Sequence, residues 1–320
     1  MKIKLSLMAA LLVFHFSLQA GGLSDNQFGL DLTSFSRDSD SSVTYVYDNS
    51  GTVNNRVDDL PLGSTSSFDD DADTGYRISA SLKLAERWYF NGAIMASEMS
   101  SSDSFSDPTA QLEVIRQSVT ENFDSADYVQ TSYDSDLSGV DLNAVYRFSD
   151  SLDFMVGIGQ LSLEEKFKIV SNDTSSVLAP GEGRYVMNTD NDMLGPHFGA
   201  AWNPMISGKL GFYVVGKFGW YENDTEQRQR LDDDPANNVL FSRSNSGSDS
   251  GTSTITDIRL GLNYDFTQQF AATVGYQIIK ISDVALAEDQ FDTTQAGSND
   301  VDDDGEIDWD GFNLGLKVSF

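Results

Sequence analysis

The stretch "DGFNLGLKVSF" (310–320) alternates without a break. Phe312, Leu314, Leu316, Val318 and Phe320 fall on one side of an extended chain. Gly311, Asn313, Gly315, Lys317 and Ser319 fall on the other, because successive side chains of a strand point to opposite faces. One face suits an apolar surrounding and its reverse suits water. A soluble sheet also uses this pattern, so two things decide the fold: whether the pattern recurs, and how the chain begins.

The pattern recurs. In "IRLGLNYDF" (258–266), Ile258, Leu260, Leu262, Tyr264 and Phe266 share a face, and in "VDLNAVYRF" (140–148) Val140, Leu142, Ala144, Tyr146 and Phe148 do. Similar faces lie at 76–84, 88–96, 152–158 and 210–220, with weaker ones at 28–32, 194–202 and 270–278. With the last segment these make ten strands, most near the roughly 9–11 residues that cross a bilayer at a tilt. Four connections are short (85–87, 149–151, 203–208, 267–269), and they alternate with five long ones at about 37–73, 100–136, 171–189, 223–251 and 282–308. Compact soluble domains rarely carry so many long loops. A hidden hairpin at 109–131, where "QLEVIRQSV" alternates, leaves eight to twelve strands open. "YRFSDSLDFMVGIG" (146–159) and "YDFTQQFAATVGY" (264–276) echo one another as successive hairpins.

The first 20 residues have the three parts of an export signal: Lys2 and Lys4, an apolar run from Leu5 to Phe16, and "LQA" before Gly21. The expected division is therefore a cleaved signal over 1–20 and one barrel domain over 21–320. The chain has 320 residues and no cysteine, so thiol chemistry is excluded. Its 50 acids against 20 bases give a net charge of −30, which argues against a nucleic-acid partner. Of those acids, 35 fall in the five long segments. Trp88, Tyr89, Phe90, Tyr146, Phe148, Trp202, Phe266 and Phe270 flank the short turns, while Phe218, Trp220 and Tyr221 lie near the opposite strand ends. Two such girdles are expected at the headgroup levels of a membrane barrel.

Together the export signal, the ten amphipathic strands, the short-turn and long-loop alternation and the terminal "GLKVSF" resemble a bacterial outer-membrane β-barrel protein. "GPHFGAAW" (195–202) is similar to a Gly-Pro strand of some porin-like families, without assigning a subfamily. The resemblance implies an all-β, transmembrane, antiparallel up-and-down barrel with short periplasmic turns and long extracellular loops. It also implies a place in the outer membrane, contact with its lipid, and Phe312, Leu314, Leu316, Val318 and Phe320 as a signal for the barrel-assembly machinery.

The face turned from lipid carries Arg77, Lys83, Asp141, Arg147, His197, Lys217, Asp257, Arg259 and Lys317. Such a mixture either fills a narrow barrel with ion pairs or selects small solutes. Eight strands enclose just enough room for side chains and wide channels need about 16, so ten allow at most a narrow conduit. The expected function is thus a porin-like or structural surface barrel, its solutes unidentified. The alternative is a surface adhesion or ligand-binding barrel ordered by Ca²⁺. That alternative rests on "DVDDDGEID" (300–308), where Asp300, Asp302, Asp304, the Glu306 carbonyl and Asp308 match a calcium loop of EF-hand type. The match fails at its twelfth position, which holds Gly311. No cofactor is otherwise required. No catalytic residue is assigned: His197 has no nucleophile or second acid at a recognisable spacing, so no enzyme activity is expected.

Overall fold

The computed structural model describes residues 26–40, 43–48, 60–65, 73–106, 112–114, 126–173, 181–235, 241–291 and 298–320. The expected export signal over 1–20 lies outside the described residues. Ten strands close a barrel: β1 (Gln27–Ser39), β4 (Asp73–Lys83), β5 (Trp88–Ser106), β7 (Tyr128–Arg147), β8 (Leu152–Asp173), β9 (Gly181–Trp202), β10 (Leu210–Pro235), β11 (Phe241–Asp265), β12 (Phe270–Val284) and β13 (Gly305–Ser319). Every neighbouring pair is antiparallel. β1 closes the ring by pairing with both β13, from Gln27 opposite Ser319 to Ser39 opposite Ile307, and β4. Closure leaves no strand edge, and lipid supplies no partner for an unpaired backbone N–H or C=O. The opening stretch is therefore the wall strand that completes the ring, with Phe312, Leu314 and Leu316 about two-thirds exposed on its outer face.

Side chains keep one parity along each strand, but their chemistry changes partway. On β8, Phe154, Val156 and Ile158 point outward and are exposed. Beyond Gly159 the outward positions become Gln160, Glu164 and Lys166, while Leu161, Leu163, Phe167 and Ile169 turn inward and are buried. β13 does the same: Phe312, Leu314 and Leu316 face out below, and Ile307 and Trp309 face in above. The lower barrel is thus apolar outside and polar inside, and the upper barrel is the reverse. Twenty-six residues in β10 at about 3.3 Å each span roughly 85 Å, against ~30 Å of hydrocarbon. Much of the wall stands in water.

This inversion corrects the expected structureless loops. Most of 223–251 is strand, with Asp233 of β10 paired to Phe241 of β11, and most of 171–189 belongs to β8 and β9. Acids expected in loops, such as Asp134, Asp136 and Glu226, stand on the outer wall of the upper barrel beside Glu98, Glu164 and Asp190. In the suspected hairpin region, β6 (Leu112–Val114) joins β2 (Thr44–Asp48) and β3 (Leu60–Ser64) in a separate three-stranded sheet, so the barrel count stays at ten. The lower girdle holds with one change: Trp88, Phe148, Trp202, Phe266 and Phe270 face out, but Tyr89 is buried inside; at the opposite ends Trp220 is exposed and Tyr221 is buried inside.

Two pieces fill the upper barrel. The small sheet is a lid against β5, β7 and β8: Tyr45 packs edge-on against Phe167 at 5.4 Å and against Phe105 at 6.3 Å, and Val46, Leu112 and Val114 are fully buried. The second is the segment after β12. Asp283 takes a left-handed backbone (φ 62°) at a bulge between Ser282 and Val284, a conformation aspartate tolerates better than most residues. From there Ala285, Leu286, Ala287 and Glu288 run through the interior without solvent contact.

A charge on the lower outer face must enter hydrocarbon. Leu314→Arg is expected to cost about 2–4 kcal/mol, the usual penalty near the bilayer midplane, measured by urea unfolding from lipid vesicles. Asn313→Arg on the opposite face should escape that lipid penalty.

Candidate functional site in the lumen

The lumen has two storeys. In the lower one, side chains from facing walls meet in a charged layer. Lys217 Nζ on β10 lies 2.7 Å from Asp141 Oδ2 on β7 and 3.1 Å from Asp257 Oδ2 on β11, so one cation bridges two carboxylates across the barrel. Arg259 Nε stands 3.6 Å from Asp257 Oδ1, which also accepts a 2.9 Å hydrogen bond from Gln277. Arg77 reaches Asp141 only at 3.9 Å. His197 Nε2 lies 2.7 Å from Asn143 Oδ1 and 3.0 Å from Asp141 Oδ1, and its Nδ1 is 3.2 Å from the Tyr221 hydroxyl. A Cβ at Gly157 would come 2.6 Å from His197 Nε2, so glycine is what gives the imidazole its room. Such pairing suits charges removed from water, where an unpaired ion costs several kcal/mol.

Six of the nine expected lumen residues therefore gather: Arg77, Asp141, His197, Lys217, Asp257 and Arg259. Lys317 stands near the layer with its ammonium 5.3 Å over the Tyr213 ring. Arg147 does not join them. It lies at the periplasmic end, stacked 4.3 Å over the Tyr89 ring and 3.3 Å from Asp153. Lys83 is likewise at that end, the last residue of β4. Above the layer is a cavity of about 50 Å³, lined by Arg77, Lys217, Asp141 and Asp257 below and by Met95, Leu161, Ile255 and Ile279.

The upper storey is closed by the inserted segment, and inward polar side chains of the wall take the place of a strand partner. Asn191 donates to the Ala285 carbonyl at 2.8 Å and accepts from its N–H at 2.9 Å. Ser253 donates to the Asp283 carbonyl at 2.6 Å, and Gln229 to the Gln290 carbonyl at 2.6 Å. These bonds answer the rule that buried backbone groups need partners. A buried ion cluster pins the segment to the opposite wall: Arg37 Nε to Glu165 at 3.0 Å and Arg37 to Glu288 at 2.8 Å, all three with no exposed side-chain surface. Burial acts to lower the Arg37 pKa, but Glu165, Tyr133 and Glu288 outweigh it and hold the guanidinium above its ordinary value. Sequence reasoning missed this cluster, whose members lie 128 and 251 residues from Arg37. The available hint was "VALAEDQF" (284–291), an apolar run within an acidic connection.

The expected calcium ligands are not gathered on one point. The Glu306 carbonyl, the expected ligand, accepts from the Asp40 N–H at 3.2 Å, while the Glu306 side chain is tied to Lys280 and Ser282, and Asp308 lies 3.9 Å from Lys280, on the outer face of β12 and β13. Asp302 is turned toward Asp304, and its N–H is held by Gln290 at 3.0 Å. Among the described residues no group of three or more His, Cys, Asp or Glu side chains is placed to hold a metal ion.

This geometry meets the comparisons with known proteins. The family model described as Putative beta barrel porin-7 (BBP7) matches residues 115–303, more than half of the chain. The chain belongs to this porin family. It is a bacterial outer-membrane β-barrel, and the porin match spans β7 to β12 together with the plugging segment. No curated protein matches it. Among solved structures it is similar to the toluene transporter TodX of Pseudomonas putida, at 10% identity over 93% of this chain and 91% of that one, with a TM-score of 0.44. It is also similar to the outer-membrane protease OmpT of Escherichia coli, at 7% identity over 92% and 97%, with a TM-score of 0.47.

Removing one member of a buried ion cluster strands the others. Arg37→Ala is expected to cost this barrel about 3–5 kcal/mol in urea unfolding, and to open 284–291 to protease in the folded state. The acidic connection yields a pH test. Burial and the Asp304 side chain raise the Asp302 pKa, so folding favours its protonated form. That contribution is present in mild acid and is lost as pH rises from the ordinary carboxylate range through the raised value. Asp302→Asn should therefore raise the melting temperature slightly at pH 7 and not at pH 3, with or without Ca²⁺. A calcium ligand would give the opposite sign in Ca²⁺.

Proposed function

We propose that this porin-family barrel is a narrow conduit for small hydrophilic solutes whose resting state is closed by its own 283–291 segment. The observation that carries it is the chemistry of the wall. Polar and charged residues line the lumen within the lipid belt, and the apolar material that blocks the upper storey includes an inserted segment held by side-chain hydrogen bonds. Asn191, Asn223, Gln229 and Ser253 all bond to inserted backbone. Water can replace such partners at little cost once the segment leaves. Glu288 Oε2 is buried in the plug contact with no hydrogen-bond partner, an expense that its release would remove.

The proposal is non-enzymatic. Both nitrogens of His197 face Asn143, Asp141 and Tyr221 within the lumen, an arrangement that serves to position a polar layer. Small-solute passage fits a ten-strand wall, near the narrow end of barrel sizes.

The test is conductance in planar bilayers. The refolded mature chain should give small or no steps, and replacement of Ala285–Gln290 by a glycine-serine linker should give discrete, larger ones. If both proteins are silent with insertion verified, the conduit falls and a structural surface barrel acting through its acidic collar remains.

A further inference from the structure

The charged layer is unbalanced at one place. Arg77 lies in the lumen with its side chain 9% exposed, and its Nε has no hydrogen-bond partner. The ion pair it makes, with Asp141, spans 3.9 Å. A guanidinium carries five N–H donors, and buried ones are normally satisfied. The two nearby carboxylates are better held by others. Asp141 is 2.7 Å from Lys217 and 3.0 Å from His197, while Asp257 is 3.1 Å from Lys217 and 2.9 Å from Gln277. Asp31, opposite Arg77 in the β1–β4 register, accepts a hydrogen bond from Thr273 at 3.2 Å. Around this layer stand four cations (Arg77 on β4, Lys217 on β10, Arg259 on β11, Lys317 on β13) and four acids (Asp31 on β1, Asp141 on β7, Asp257 on β11, and Asp265 on β11 beside Lys317). A second arginine, Arg259, adds its own field and also has an unpartnered Nε.

We propose that the cavity beside Arg77 is a binding site for one small, weakly hydrated monovalent anion, of halide or nitrate size. Two observations converge on it. The underbonded guanidinium lines a cavity of about 50 Å³, against roughly 10–15 Å³ for a single enclosed water, which leaves room for one such ion with a water or two but not for a larger organic solute. The upper lining, Met95, Leu161, Ile255 and Ile279, is apolar and favours an ion that sheds water easily. The site deepens the conduit proposal, since the same layer then selects anions, and it rests on that reading only for transport.

The experiment is melting of the detergent-refolded mature chain in sodium bromide and in sodium gluconate at equal ionic strength, with bromide NMR line width titrated in parallel. Bromide is expected to raise the melting temperature by several degrees and to show saturable broadening. Arg77→Gln should lose both effects, and Arg77→Lys, which keeps a cation, should shift the midpoint to higher bromide. Equal melting in both salts with unsaturable broadening overturns the site. So does an unchanged bromide midpoint in the Arg77→Lys protein, which stays decisive if Arg77→Gln does not refold. Bromide binding in a barrel silent in bilayers would remove the conduit and keep the site. Conductance without a bromide response would do the reverse.

Discussion

Everything in this barrel follows from a strand's inability to change parity along its length while its surroundings change. Side chains at alternate positions stay inside from one end of the wall to the other. Outside, lipid gives way to water after about ten residues. The residue type at each parity must therefore switch, and β8 and β13 switch within one or two positions, at Gly159 and at Gly311. Below the switch the inside is polar because the outside is apolar. Above it, the inside can be an ordinary hydrophobic core.

That core needs more material than the ten strands supply, because a ring of this size encloses space that wall side chains alone fill poorly. The lid sheet and the 283–291 segment provide it. Bringing irregular backbone inside exposes amide groups to a dry interior, and the wall meets them with asparagine, glutamine and serine in place of a ladder. The cluster of Arg37, Glu165 and Glu288 adds position more than stability: an apolar trio of similar shape often does as well energetically, but it fixes one register less firmly. Asp283 marks where wall becomes plug, and its left-handed backbone makes the change of direction local.

For a porin-family barrel this arrangement separates two tasks. In the proposed conduit the lower storey, made of wall residues alone, would set which charges meet a solute. The upper storey, made partly of inserted chain, would set whether that lumen is open. Lys217 serves the first by holding Asp141 and Asp257 together, which in turn leaves Arg77 short of partners.

The lower barrel was legible in the sequence because lipid imposes a strict rule there. Ten apolar-out strands, their short turns, the closing strand ending at Phe320 and six lumen residues could all be read from period-two alternation. The upper barrel was not, since water outside tolerates serine, aspartate and asparagine in strand and loop alike, so stretches such as "SRSNSGSDSG" (242–251) read as loop although they are wall. The nine-residue acidic run at 300–308 offered a cation pattern, but the Glu306 carbonyl is bonded to the Asp40 N–H and the β12–β13 pairing places Asp308 beside Lys280. The sequence by itself determined which residues face lipid, because that depends on chemistry repeated every second position along one strand. Only the tertiary structure decided what fills the lumen, because Arg37, Glu165 and Glu288, like Arg77, Asp141 and Lys217, meet across the barrel from strands whose spacing along the chain carries no periodic signal.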